Sequence, residues 1–368
     1  MDGKLSQVIL WHSGAYPYME PADYVKLLYQ NEFGCSHLTA DPDGGFEQLK
    51  KEFVLLPVSP ETGERGSRME GIGNGLCRIF LRRGPRSEEF LPLLGRMGAA
   101  TARTHLGNGT RLQQKLELLR NMASQGQLRT SREDMDSFLQ KYADSGCGPV
   151  HHSDAYREHY SPHYRVVRAA YYFYLPVLEA AMKLMSARSG KGPAILALDG
   201  RCGSGKSFLA GILQEVFGCS VFHMDDFYLP RGRRAGDWKS QTGGNIDRER
   251  FLREVLVPLR RGENVLYRPY SCMRSEMLPP REIRPGKLAV VEGTYSVHPD
   301  FRGYYDYGVF LTCLNNVQQR RIFLRSGGDR LYDFLEYWIP AEERYFEAEQ
   351  TLRFCNLTLD TSAFEDLT

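Results

Sequence analysis

The chain carries almost no excess of either charge: Lys and Arg number 47, Asp and Glu 45, a formal net charge of +2 over 368 residues. A basic face for the phosphate backbone is not expected, and nucleic acid is set aside as a partner. The eight cysteines (35, 77, 147, 202, 219, 272, 313 and 355) include no C-x-x-C pair. That excludes an obvious zinc site or small disulfide framework, and dispersed thiols fit a reducing, cytoplasmic compartment. No run approaches the roughly 20 apolar residues that span a bilayer. The first apolar stretch, residues 8–11, is too short for a signal-peptide core, so no membrane association is expected. No internal repeat is visible.

Hydrophobic residues at 42% and charged residues at 25% are the balance of a globular protein of about two domains. Residues 1–150 read as a mixed α+β domain. Helical stripes run through residues 21–31 (Tyr24, Leu27, Leu28) and 111–120 (Leu112, Leu116, Leu119), and residues 76–81 fit a strand. Residues 54–75 are rich in glycine, proline and charge. Gly71, Gly73 and Gly75 within them have the wrong period for a dinucleotide loop and read as a turn. His151, His152, His159 and His163 alternate with Tyr156, Tyr160 and Tyr164. Pro162 breaks the helix that would put two of these histidines on one face, so packed aromatics are expected rather than a metal site. A long helix over residues 165–186, kinked at Pro176, then forms a connecting segment within 151–190.

From residue 191 onward strands and helices alternate. Apolar runs at 194–199, 220–224, 288–291 and 307–312 read as strands, and residues 207–217, 247–261 and 316–325 as helices, with Asp247 as an N-cap. This order argues for an α/β domain with a parallel sheet covered on both faces. Between the first strand and first helix lies Gly200-Arg201-Cys202-Gly203-Ser204-Gly205-Lys206-Ser207, a match to G-x-x-x-x-G-K-[ST] at every fixed position. Glycines let backbone N–H groups close on phosphate oxygens, and the helix N-terminus adds donors and a positive dipole end. Lys206 would reach the β- and γ-phosphates and Ser207 would supply a hydroxyl to Mg²⁺.

Three further acidic or basic sets follow in order. Asp225 and Asp226 end the second strand, where a carboxylate can act as general base on an attacking hydroxyl. Glu292 ends another strand and could hold Mg²⁺ through water. Arg321 and Arg325 are four apart on one helical face, ahead of a Gly-Gly hinge, and could close over phosphates as a lid. The chain has no N-K-x-D element of the guanine-binding type, and a base aspartate points to a kinase rather than a GTPase switch.

Together Gly200–Ser207, the Met-Asp-Asp-Phe-Tyr run at 224–228, Asn-Ile-Asp at 245–247, Val-Glu-Gly at 291–293 and Arg321/Arg325 resemble the uridine kinase branch of the P-loop kinases. That branch also includes nicotinamide riboside kinase, phosphoribulokinase and pantothenate kinase. The resemblance covers roughly residues 194–361. It implies a P-loop NTPase fold with a five-stranded parallel core, ATP and Mg²⁺ as cofactors, and phosphorylation of a primary hydroxyl. It also implies Asp225 as base, Asp247 on substrate hydroxyls, and Phe227 and Tyr228 lining the substrate cleft. Asp226 is a second candidate metal ligand and could exchange roles with Asp225. Asp247 is followed by Arg-Glu where uridine kinases carry His-Pro, and residues 267–272 contain no histidine. A nucleoside is the favoured acceptor; a sugar phosphate, a vitamin or a sugar acid stays open. So does a module that binds ATP without turnover.

Overall fold

The computed structural model describes residues 2–34, 42–58, 69–84, 87–238 and 241–367. Cys35 and much of the glycine- and proline-rich stretch lie outside them. The chain divides into two compact units, Met1–Phe173 with Asp366–Thr368, and Tyr174–Glu365.

The first unit contains α1 (Asp2–Ala15), α2 (Pro21–Phe33), α3 (Pro42–Leu55), β1 (Met69–Gly73), β2 (Leu76–Phe80), α4 (Ser87–Thr104), α5 (Gly109–Ser124), α6 (Arg132–Asp144), α7 (Asp154–Tyr160), β3 (Tyr164–Arg168) and α8 (Ala169–Phe173). The strands form an antiparallel sheet in the order β1-β2-β3. The two expected helices are present as α2 and α5. Their stripes bury Tyr24 and Leu28 with Leu112, Leu116 and Leu119 in one core, while Leu27 turns to Ile72, Leu76 and Val166 of the sheet. Asn74 sits between Gly73 and Gly75, and all three have positive φ in the turn joining β1 to β2. Gly71 belongs to β1.

The long helix expected over residues 165–186 does not form. Its first residues are β3, because Val166 and Val167 are β-branched and find β2 as a ladder partner. Helix resumes as α8, breaks at Tyr174, and restarts as α9 (Leu175–Ala187). Pro176 lies in the first turn of α9, where its missing N–H costs nothing, so it starts a helix instead of kinking one.

The second unit continues with β4 (Ala194–Gly200), α10 (Lys206–Phe217), β5 (Ser220–His223), and α11 (Arg248–Phe251), which runs through a π turn into α12 (Val257–Arg261). Short strands β6 (Val265–Tyr267), β7 (Tyr270–Ser271), β8 (Glu276–Met277) and β9 (Arg281–Ile283) make two small antiparallel pairs. Then come β10 (Leu288–Glu292), β11 (Tyr307–Thr312), α13 (Asn315–Ser326), α14 (Gly328–Asp333), α15 (Ile339–Ala348), α16 (Thr351–Phe354) and β12 (Leu357–Asp360).

The main sheet has five parallel strands in the order β12-β11-β4-β10-β5. Every residue of β4 is buried, as a central strand covered on both faces requires. Alternate residues serve opposite faces: Ile195 and Ala197 join Phe222, Val291, Phe251, Leu256 and Phe346 in one core, while α10 packs on the sheet through β4, β5 and β10. The fold is of the P-loop NTPase type, with the loop at the carboxyl end of the central strand. Chain connections diverge to β10 on one side of β4 and β11 on the other, the crevice where open α/β sheets bind ligands.

Candidate active site

The loop after β4 keeps its shape through glycine. Gly200 has φ 131°, and a Cβ there would lie 2.0 Å from the Leu311 carbonyl oxygen, so no other residue fits. Gly203 and Gly205 also take positive φ (73° and 91°), turning the chain so that α10 begins at Lys206. The Lys206 ammonium is buried and donates to the carbonyls of Gly200 (2.6 Å) and Arg201 (2.9 Å). Arg201 turns outward to Glu343 at 2.8 Å. Beside it Thr312, Cys313, Asn315, Asn316 and Asp360 line an open hollow of about 400 Å³.

Sequence reasoning placed Ser207 and Glu292 on one metal, and the fold brings them together. Ser207 Oγ is 3.1 Å from both carboxylate oxygens of Glu292, which is only 5% exposed at the end of β10. Two hard oxygen donors beside a phosphate loop are the chemistry Mg²⁺ takes. His223 Nδ1 is 2.5 Å from Glu292 Oε1, and this hydrogen bond holds the imidazole above its usual pKa. Nothing in the sequence marked His223 except its position before the acidic pair.

Asp225 and Asp226 part company. Asp225 opens to solvent at the start of the segment after β5. Desolvation within the protein walls around it pushes its carboxyl up, and the negative charge of Glu292 adds to this. Asp226 instead accepts from Tyr267 OH (3.0 Å) and pairs with Arg281 (3.3 Å). Both partners meet the same oxygen, Oδ2.

Phe227 is a correction. It is fully buried, packed on Phe251 and Tyr267 with the Arg250 guanidinium 4.6 Å from its ring, and lines no cleft. In a four-residue 3₁₀ turn, Asp225 and Tyr228 lie on one side and Phe227 on the other. Asp247 caps α11 by accepting from Arg250 N (3.3 Å), and its second oxygen lies 3.6 Å from Arg233.

Arg321 and Arg325 share α13 but not surroundings. Arg321 donates to Thr361 Oγ1 (2.9 Å), Thr361 O (2.7 Å) and Gly203 O (3.2 Å), bracing the phosphate loop. Arg325 is exposed and lies 5.6 Å from the Phe334 ring. Gly327, at φ 80°, separates α13 from α14.

Two buried acids near the loop had no sequence signal. Asp199 accepts from Gly200 N (2.7 Å), Val297 N (2.9 Å) and Tyr345 OH (2.8 Å), and burial raises its pKa. Glu342 on α15 accepts from Cys202 N at 3.0 Å and from Gln318 Nε2 at 3.1 Å. Burial pushes its carboxyl up to about 7, against the pull of Lys206 and the Cys202 amide.

Among the described residues no group of three or more His, Cys, Asp and Glu is arranged to hold a metal ion. No helix of the described residues is long and apolar enough to cross a membrane.

No protein-family profile matches the chain, and no curated protein does. Among solved structures it is similar to a possible uridine kinase from Bacillus stearothermophilus, with 23% identity over 48% of this chain and 94% of that one and a TM-score of 0.38. It is also similar to a candidate fructose transport system kinase from a Silicibacter species (23% identity, 50% of this chain, 98% of that one, TM-score 0.43). A third is D-glycerate 3-kinase from Cryptococcus neoformans (16% identity, 45% of this chain, 84% of that one, TM-score 0.35).

Proposed function

We propose that the second unit is an ATP-dependent kinase that moves the γ-phosphoryl group to a hydroxyl of a small molecule, a nucleoside being the favoured acceptor. The observation that carries this reading is the Ser207–Glu292 pair at 3.1 Å beside the phosphate loop, with a solvent-open Asp225 at the end of the neighbouring strand. A sensor that only binds nucleotide has no use for a solvent-open base carboxylate there.

The residues divide the work. Backbone N–H groups of Gly203–Ser207 and the start of α10 would cradle the phosphates, and the hollow beside Arg201 has room for the rest of the nucleotide. Ser207 and Glu292 would hold Mg²⁺, which when bound neutralises charge on the phosphate oxygens. Lys206 would exchange its two carbonyl partners for phosphate oxygens. Asp225 takes the proton of the acceptor hydroxyl as that oxygen bonds to the γ-phosphorus and the bond to ADP breaks. Tyr228 would line the acceptor site, and Asp247 presents its carboxylate to the acceptor's remaining hydroxyls, with Arg233 alongside.

ADP release measured across nucleosides, sugars, sugar phosphates, vitamins and sugar acids tests the reading. One hydroxylated metabolite is expected to accelerate release well above the rate in water. A flat panel would favour the binding-module alternative.

A further inference from the structure

One peptide of the phosphate loop is gripped from both ends. The carbonyl of Arg201 accepts from the Lys206 ammonium at 2.9 Å, and the N–H of the same peptide, on Cys202, donates to Glu342 at 3.0 Å. Lys206 polarises that peptide and strengthens its N–H as a donor, so the amide suits a carboxylate rather than a neutral acid. Gln318 of α13 closes the arrangement by donating to both the Cys202 carbonyl (3.0 Å) and Glu342 Oε1 (3.1 Å). Glu342 is 3% exposed, so its charge depends on these few partners.

We propose that Glu342 is a positioning residue that senses phosphate: it holds the Arg201–Cys202 peptide while Lys206 is bonded to that peptide, and it takes up a proton when a nucleotide's phosphates draw Lys206 away. The proposal rests on the reading of Gly200–Ser207 as a nucleotide loop. A lysine that serves phosphate oxygens cannot keep both carbonyl partners, so the peptide loses its polarising cation. The arriving phosphates then add negative charge at the same loop. Both changes favour the acid over the carboxylate.

The groups that face Glu342 are few. Lys206 reaches it from the start of α10, Cys202 from the loop, Gln318 from α13 and Tyr295 from the segment after β10; Glu343 repels it from its own helix. Arg201 is held by Glu343 at 2.8 Å. With its carboxyl already at about 7, a small further rise has consequences near neutral pH. The sign follows from linkage. A ligand that raises an acid's pKa takes up protons between the old value and the new one, and its affinity falls as pH rises through that window.

ADP binding to the full chain, titrated by calorimetry at about pH 7.5 in two buffers of different ionisation enthalpy, reads the proton directly. Wild type is expected to take up a substantial fraction of a proton beyond that contributed by ADP itself. Glu342→Gln keeps an acceptor for Cys202 N and should lose the uptake. Between about pH 7 and 8.5, wild-type affinity should fall relative to the variant, by at most about tenfold per pH unit. Equal uptake in the two proteins overturns the proposal. Should the variant not fold, absence of protein-borne uptake in wild type overturns it equally well. A wild type that does not bind ADP would take down the nucleotide-loop reading itself, a different failure from binding without a proton.

Discussion

At the scale of the residue, the site turns on which polar atoms are committed to the protein and which are left for a substrate. Lys206 belongs to the first group only through two carbonyls, and exchanging them leaves the loop braced by Arg321 and Glu342. Lys206→Ala is therefore expected to fold, by circular dichroism and melting temperature, and to lose ATP turnover; an unchanged kcat would remove the phosphate-loop assignment. The acidic pair gives a second contrast. Asp225→Asn should keep ATP binding while kcat falls by about 10²-fold or more, the usual scale of a lost general base. Asp226→Asn should act through the fold, weakening the Tyr267 and Arg281 contacts, with a smaller effect on kcat. A larger kcat loss at Asp226 would exchange the two roles.

How much of the site could be read from sequence follows from how local each part is. The phosphate loop is eight consecutive residues with dictated backbone angles, so it could be read whole. Ser207 and Glu292 lie side by side because the loop after β4 and the end of β10 meet at the same edge of a parallel sheet. Phe227 was misplaced because neighbours in sequence point to opposite sides of a 3₁₀ turn. Glu342 lies 140 residues from Cys202, and nothing local in its helix marks it as a partner of the loop.

At the scale of the element, α13 does two jobs with one face. Arg321 fastens the helix to Thr361 and Gly203, whereas Arg325, one turn further, stays exposed ahead of the Gly327 break. A segment anchored at one end and hinged at the other suits a lid. Arg325→Ala should then lower kcat far more than it weakens ATP binding, and lysine should restore only part of the rate, since a point charge lacks the planar fork of guanidinium. A change in kcat below about threefold at saturating ATP and acceptor is what a surface substitution worth under ~0.5 kcal/mol gives, and would take Arg325 out of the mechanism. Arg321→Ala should instead lower the melting temperature. Elements of the first unit were harder to read. The strand at Tyr164–Arg168 is specified by a partner strand some 90 residues earlier, while its own spacing also satisfies a helical period.

At the scale of the whole molecule, the two units differ in how they hold charge. In the first, Glu70 is buried with His12 at 2.9 Å and Arg78 at 3.2 Å and also accepts from Tyr16. Against its burial, these partners hold its carboxyl down to about 2. His152, between Asp23 and Tyr164, is pushed down to about 4 chiefly by burial. Glu70 contributes stability that is present above its unfolded pKa and lost as pH falls toward 2. His152 is kept neutral by the fold, so protonation below about 6.5 also opposes folding. Acid should therefore destabilise the first unit progressively from about pH 6.5 downward. Trp11, 52% exposed and edge-on to His12 at 4.9 Å, reports on it in a chain whose other two tryptophans are Trp238 and Trp338. With those two replaced by phenylalanine, Trp11 fluorescence should report acid unfolding, and Glu70→Gln should make the low-pH part of that transition shallower. A transition insensitive to Glu70 would show that its ion pairs do not set the acid limit.

The central claim, that the second unit transfers phosphate to a hydroxyl rather than to water or to nothing, is tested most directly by following where the γ-phosphate goes. With the acceptor that most stimulates ADP release, phosphorylated product and inorganic phosphate are quantified together for wild type and Asp225→Asn. The expected result is product equal to ADP in wild type, little free phosphate, and loss of product in the variant with nucleotide binding retained. Free phosphate equal to ADP with every acceptor, or product formation undiminished by Asp225→Asn, would contradict it.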